Sequence, residues 1–174
     1  MVLNQNNKMN YGNRRSIRLK GYDYSQPGAY FITVCTNNKE CILGDIIGKK
    51  MVLNELGNAV KNSWSQIPGH FPHVSLDHMV IMPNHIHGIL LFSDSTTTNN
   101  NPKNGTSKTL GSVVRGFKVG VTKWARNNNL GDVWQRNYYE HIIRDKSSYD
   151  FIYEYIENNP LKWELDSLHP NNGK

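Results

Sequence analysis

Cysteine is scarce in this chain: 174 residues hold two, Cys35 and Cys41. Two are too few for a disulfide framework, and their spacing is not Cys-x-x-Cys. They are expected to be reduced, half-buried residues of a cytosolic protein. Long apolar runs are missing as well. None approaches the ~18 residues of a membrane span, and no apolar segment follows Met1, so no membrane association and no signal peptide are expected and the protein is placed in the cytoplasm. Internal repeats are absent. Acidic residues are the minority charge, 14 against 20 Lys plus Arg, for a net charge of +6. That modest excess points to a polyanionic partner more than to any fold. Residues 1–20 contain no acidic residue, but they do contain Lys8, Arg14, Arg15, Arg18 and Lys20. Such a basic arm suits phosphate contact, because each neutralised phosphate releases counterions. A merely solvated tail has the same composition.

The length suits one domain, residues 1–174, able to bury a core without covalent staples. After the Gly/Pro turn at 25–28, AYFITVCT reads as a strand. MVLNELGNAVKNSWSQ, 51–66, has Leu53, Leu56, Val60 and Trp64 at helical spacing and stops at Pro68-Gly69. HVSLDHMVIM and HIHGILLF follow as two adjacent strands joined at Pro83-Asn84. Residues 93–109 are a polar, low-complexity loop expected to be flexible. LGSVVRGFKVGVTKWARN, 110–127, reads as a basic helix, although Gly116 and Gly120 weaken it. A fourth strand is expected around Tyr138–Ile143, a last helix from Ser147 to Asn158, and a polar tail over 166–174. The order β-α-β-β-α-β-α is that of an α+β, ferredoxin-like split βαβ fold: an antiparallel sheet with helices on one face, plus one added C-terminal helix.

Two positions in this framework carry chemistry. In IMPNHIHGIL, strand alternation turns His85 and His87 one way and Ile86 the other. Two imidazoles at that spacing can share a metal ion if a third group joins them. A hydrogen-bonded pair of histidines on a half-buried strand would look the same. In SSYDFIYEYIENNP, ~100° per residue aligns Phe151, Ile152, Tyr155, Ile156 and Asn159 in one stripe, with Tyr149 and Tyr153 rotated away. If that stripe packs on the sheet, Tyr155 and Asn159 face the histidines. The Asn159 amide oxygen could then complete a two-His, one-oxygen site with Tyr155 one turn away. Tyr155 as a core-edge tyrosine and Asn159 as a helix-end residue before Pro160 are equally compatible with the spacing, and Asn158 is a geometric rival for the ligand.

Across GYDYSQPGAYFITVCT, MPNHIHGIL, VWQRNYYEHIIRD and YEYIENNPLKWELD the chain resembles the REP-associated tyrosine transposases. These are a branch of the HUH single-tyrosine endonucleases related to the transposases of the smallest insertion sequences. The family's His-hydrophobic-His falls on His85, Ile86 and His87, its nucleophile on Tyr155 and its amide ligand on Asn159. The 93–109 insertion departs from the pattern without touching a motif residue. The resemblance implies a divalent metal, Mg²⁺ or Mn²⁺, and single-stranded DNA as partner. It implies cleavage and rejoining through a 5′-phosphotyrosine, in DNA transposition at hairpin-forming, REP-like palindromic repeats by a monomer or homodimer.

Arg14, Arg15, Arg18, Arg115, Lys118, Lys123, Arg136 and Arg144 are the candidate DNA contacts. Because a metal needs neutral imidazoles, activity is expected to fall below pH ~6.5. The residues do not identify the base that takes the phenolic proton. Three other functions share these features. One is a domesticated, immobile repeat-binding nickase, and another a metal-dependent hydrolase of small phosphoesters, against which the basic arm argues. The third, a non-catalytic nucleic-acid-binding ferredoxin-like module, would need aromatics on one sheet face, yet Tyr30 and Phe31 alternate.

Overall fold

The computed structural model describes residues 19, 21–94 and 108–172. The expected arm contacts Arg14, Arg15 and Arg18 lie outside these residues, as does most of the 93–109 loop. The strands are β1 (Gly28–Cys35), β2 (Gly44–Ile47), β3 (Lys50–Leu53), β4 (Val74–Met82), β5 (His85–Phe92) and β6 (Tyr139–Ile143). The helices are α1 (Glu55–Ser65), α2 (Ile67–His70), α3 (Leu110–Asn127) and α4 (Lys146–Asn158). Four strands form one sheet in the order β4-β5-β1-β6, and each neighbouring pair is antiparallel. With β2 and β3 set aside, this is the ferredoxin-like arrangement expected from the order of elements, with α4 added.

Alternation along β1 sorts the core into two layers. Tyr30, Ile32 and Val34 join Ile86 and Leu90 of β5 under α1 and α3, where Val60, Trp64, Val113 and Phe117 meet them. Phe31, Ile89 and Ile143 point the opposite way and receive Ile152 and Ile156 of α4. Helices therefore cover both faces, not one. Burying each isoleucine of α4 contributes about 2 kcal/mol, enough to hold the helix on the sheet. Close approach explains the glycines. A Cβ at Gly88 would stand 2.5 Å from the Trp64 ring, and one at Gly116 would stand 2.9 Å from the Phe71 ring. α3 stays helical through Gly116 because tertiary packing outweighs the ~1 kcal/mol propensity cost.

Two local expectations need correction. Residues 51–53 belong to β3, not to the helix. Gly48 and Lys49 both take positive φ, 56° and 63°, as a two-residue hairpin turn requires. Helix α1 starts only at Glu55, where the Asn54 side chain accepts the Gly57 N–H at 2.9 Å. On α4 the packed stripe is rotated towards β4. Phe151 is 73% exposed, whereas Tyr149 packs on the sheet layer and donates to Asp77 at 2.7 Å. Asn159 keeps helical φ and ψ despite Pro160, and the chain runs on directly into a 3-10 turn, Pro160–Leu165. That turn buries Trp163 and delivers Asp166 back to the end of α4.

Candidate active site

β5 holds His85 and His87 on the face that α4 covers, opposite Cys35 and Thr33 of β1. Both are buried, at 0% and 2% exposure. Burial disfavours the imidazolium, taking His85 down to about 4 and His87 well below the ordinary histidine value. The Asp166 carboxylate opposes the shift at His85, and the neighbouring His85 adds to the shift at His87. Both rings are thus neutral well below pH 6.5, which moves the expected acid limit of metal binding downwards.

A neutral imidazole has one N–H and one lone pair, so the partners decide which nitrogen faces the site. His85 Nδ1 lies 2.7 Å from the Asn84 amide oxygen, which only accepts. The Asn84 amide is itself oriented, because its Nδ2 donates to Lys39 O at 3.0 Å and Leu168 O at 2.8 Å. The proton therefore sits on Nδ1 and leaves His85 Nε2 bare. His87 Nδ1 lies 2.8 Å from Thr33 Oγ1, and its Nε2 lies 3.1 Å from the Tyr155 hydroxyl. The tyrosine donates if Nδ1 carries the ring proton.

Asn159 reaches the same point from the end of α4. Its Nδ2 donates to Asp166 Oδ2 at 3.3 Å, while its Oδ1 is buried with no hydrogen-bond partner, as is His85 Nε2. Two orphaned buried acceptors would each cost about 1–3 kcal/mol unless a cation meets them. Asp166 adds a carboxylate: Oδ2 stands 3.9 Å from His85 Nε2, and Oδ1 accepts the Leu168 N–H at 2.6 Å. Ligand atoms of His85, His87 and Asp166 lie within 4.8 Å of one another. Two imidazoles, an amide oxygen and a carboxylate fit a divalent metal ion. The rival ligand Asn158 instead bonds its own helix at Glu154 O.

Tyr155 is 40% exposed. Its hydroxyl opens on a cleft of about 950 Å³ between β1, β6 and α4. Burial and then the Asp166 charge push its phenol above the ordinary value, with an Asn159 hydrogen bond acting against them. The phenol is therefore protonated at neutral pH. Around it, the His87 ring centroid is 5.0 Å away and Phe31 meets it edge-on at 6.2 Å.

The basic candidates separate. Arg115, Lys118, Lys123 and Arg136 line a second groove of about 820 Å³ along α3, together with Arg126. Lys118 donates to Gln135 O and Asn137 O, both at 2.7 Å, and so tethers that segment. Arg144 is exposed just after β6 and lines neither cleft. Asp166, Asn84 and Thr33 were not among the expected site residues. Asn84 and Thr33 had a signal, since one adjoins His85 and the other alternates with Phe31 in a strand. Asp166 had only its acidity in a polar stretch.

No family model matches the chain. An uncharacterized protein of Haemophilus influenzae (strain ATCC 51907 / DSM 11121 / KW20 / Rd) is 56% identical over 167 residues, covering 90% of this chain and 93% of its own length. A second protein of that strain, "Putative REP-associated tyrosine transposase", is 25% identical over 84% of this chain and 83% of its own length. Among solved structures, a REP-associated tyrosine transposase bound to a REP hairpin superimposes with a TM-score of 0.62 at 19% identity, covering 86% of this chain and 76% of that one. That likeness establishes the fold. No helix among the described residues is long and apolar enough to cross a membrane. The chain is thus similar in fold to a REP-associated tyrosine transposase, and similar in sequence along most of its length to a putative one.

Proposed function

We propose that the protein cuts and rejoins single-stranded DNA at hairpin-forming repeats, with Tyr155 as the nucleophile. The observation that carries this reading is the Tyr155 hydroxyl, 3.1 Å from His87 Nε2 at the mouth of an open cleft, beside His85, Asn159 and Asp166. His85 Nε2, His87 Nε2, Asn159 Oδ1 and Asp166 Oδ2 would hold a divalent ion, Mg²⁺ or Mn²⁺. The ion, when bound, supplies positive charge for the scissile phosphate and its developing oxyanion.

The chain's own residues do the rest. Tyr155 Oη forms a bond to phosphorus as the bond to the 3′ oxygen breaks, and the strand leaves as a 3′ hydroxyl. The DNA remains on the protein as a 5′ phosphotyrosine. Reversal by a 3′ hydroxyl rejoins the strand, and because one ester replaces another, no ATP is needed. The phenolic proton must leave, and because the His87 Nε2 lone pair would be given to the ion, the proton passes to water in the open cleft rather than to that ring. Asn84 and Thr33 hold the two rings by Nδ1, which fixes the direction of both Nε2 atoms; His85 Nε2 is already without a partner, and His87 Nε2 becomes so once the Tyr155 hydroxyl leaves it.

The related structure's REP hairpin motivates hairpin DNA as the substrate here. A non-catalytic module binding bases on the open sheet is disfavoured, because Tyr30 is fully buried and α4 covers the other face. Incubation with a labelled hairpin oligonucleotide and Mn²⁺ should yield a covalent adduct that survives a denaturing gel. The adduct should vanish with a chelator. Binding without any adduct, at any metal concentration, would leave a repeat-binding protein and remove the nucleophile.

A further inference from the structure

Strand β4 forms one edge of the sheet and breaks step with β5 near its middle. Leu76 pairs with Leu90 and Met79 with Gly88, so β4 uses three residues where β5 uses two. The surplus residue makes a β-bulge, with Asp77 and His78 together opposite Ile89. Leu76 and Met79 both pack into the core under α1 and α3, while Asp77 and His78 both turn towards α4. Regular alternation would have sent His78 to the same side as Leu76.

Each of the two polar residues takes hold of a different part of α4. Asp77 accepts the Tyr149 hydroxyl at 2.7 Å near the start of the helix. His78 meets the Glu157 carboxylate through Nε2 near its end, and the His78 ring stacks on Tyr153 at 4.2 Å. Tyr149, Tyr153 and Glu157 follow one another at four-residue spacing and form one flank of α4. The Asp77 hydrogen bond, and then burial, push the Tyr149 phenol up to about 12, so it remains a donor at neutral pH.

Tyr155 lies across the helix from that flank. Between them run Ile152 and Ile156, which supply the buried contact with the sheet. They hold the helix down, but a non-directional contact along one line resists roll poorly. Roughly 10° of roll moves an atom ~6 Å from the helix axis by ~1 Å. A misplacement of ~1 Å can cost about 100-fold in rate. The hydrogen bonds from β4 are directional, and the His78–Glu157 pair is partly exposed and adds little stability. What it contributes is geometry.

Resting on Tyr155 as the nucleophile, we propose that the β4 bulge is a clamp on α4. Asp77 and His78, with Tyr149, Tyr153 and Glu157, fix the roll of the helix and so place the Tyr155 hydroxyl beside His87. They are positioning residues, and none of the five lines the cleft onto which Tyr155 opens.

The test follows the full chain by the single-turnover rate of adduct formation on a hairpin oligonucleotide at saturating Mn²⁺, by hairpin affinity, and by the fluorine NMR signal of a fluorotyrosine at position 155. Tyr149→Phe, which keeps the ring, and Asp77→Ala should each slow adduct formation about 10- to 100-fold. Both should shift the fluorine resonance and leave hairpin affinity unchanged. Asp77→Asn keeps an acceptor for the hydroxyl and should recover most of the rate. Tyr149→Phe added to Asp77→Ala should cost nothing more, because both break one link. His78→Ala breaks the other and should slow the reaction further. Wild-type rates with an unmoved resonance in Tyr149→Phe and Asp77→Ala would overturn the clamp. So would equal losses in Asp77→Ala and Asp77→Asn, or a loss confined to hairpin affinity, which would make this flank a DNA contact. A wild type that forms no adduct sinks the nucleophile reading alone, and the fluorine resonance then decides the clamp.

Discussion

Tyr155→Phe removes one oxygen and keeps the ring. The ring contacts to His87 at 5.0 Å and Phe31 at 6.2 Å do not involve that oxygen. The loss is therefore the hydrogen bonding of the hydroxyl, chiefly to His87 Nε2 at 3.1 Å, at about 0.5–1.5 kcal/mol net for a bond of this kind. With the residue 40% exposed, water can meet part of that loss, which puts the cost near 1 kcal/mol. In a domain of this size that is a fall of about 2–4 °C in melting temperature. Catalysis should behave differently. Without Oη there is no atom to bond to phosphorus, so covalent adduct should be absent rather than reduced. Hairpin affinity should hold, because the cationic groove is untouched. The variant also leaves His87 Nε2 without its partner, so Mn²⁺ should raise its melting temperature at least as much as that of the wild type. The assays are thermal melts with and without Mn²⁺ and a denaturing gel of labelled DNA. Adduct in Tyr155→Phe would refute the nucleophile. A fall beyond about 10 °C would show that Tyr155 is core structure first.

Three further perturbations probe the surroundings. Because burial lowers His85 to about 4 from an ordinary value near 6.5, the folded chain binds fewer protons than the unfolded chain between those values. Stability is then fully present above pH 6.5 and declines as pH falls towards 4, by roughly 3 kcal/mol from this group; urea midpoints equal at pH 7 and 4.5 would contradict a neutral, buried ring. Asp166→Asn keeps the side chain's size and a hydrogen bond to Asn159 but removes the charge, so calorimetric Mn²⁺ affinity should drop about 10- to 100-fold; unchanged affinity would exclude the carboxylate from the site. Gly88→Ala places a methyl 2.5 Å from the Trp64 ring and should cost about 1–3 kcal/mol, and an unaltered urea midpoint would mean the α1 face is packed otherwise.

The parts of this site that follow from local geometry were legible in the sequence. A period of two sends His85 and His87 to one face and Ile86 into the core. A period of 3.6 makes Tyr155 and Asn159 neighbours on one helix. Neither depends on where the rest of the chain goes. The β2–β3 hairpin was hidden because Leu53, Leu56 and Val60 keep helical spacing across its end, and the turn residues Gly48 and Lys49 reveal themselves only through positive φ. Which flank of α4 packs was settled by tertiary structure: β4 presents Asp77 to Tyr149, which rolls the helix and leaves Phe151 in solvent. Lys118 reads as one more phosphate contact until the segment at 135–137 is seen folding onto its ammonium. Asp166 becomes part of the site only because the 3-10 turn after Pro160 reverses the chain. The ionisation of the histidines has the same origin. Strand alternation puts two rings together, but their neutrality and the direction of their Nε2 lone pairs require burial by α4 and two hydrogen-bonding partners, Asn84 and Thr33, the latter 54 residues away from His87. Periodicity is a property of the backbone at close range, whereas dielectric and hydrogen-bond partners exist only once distant segments have packed.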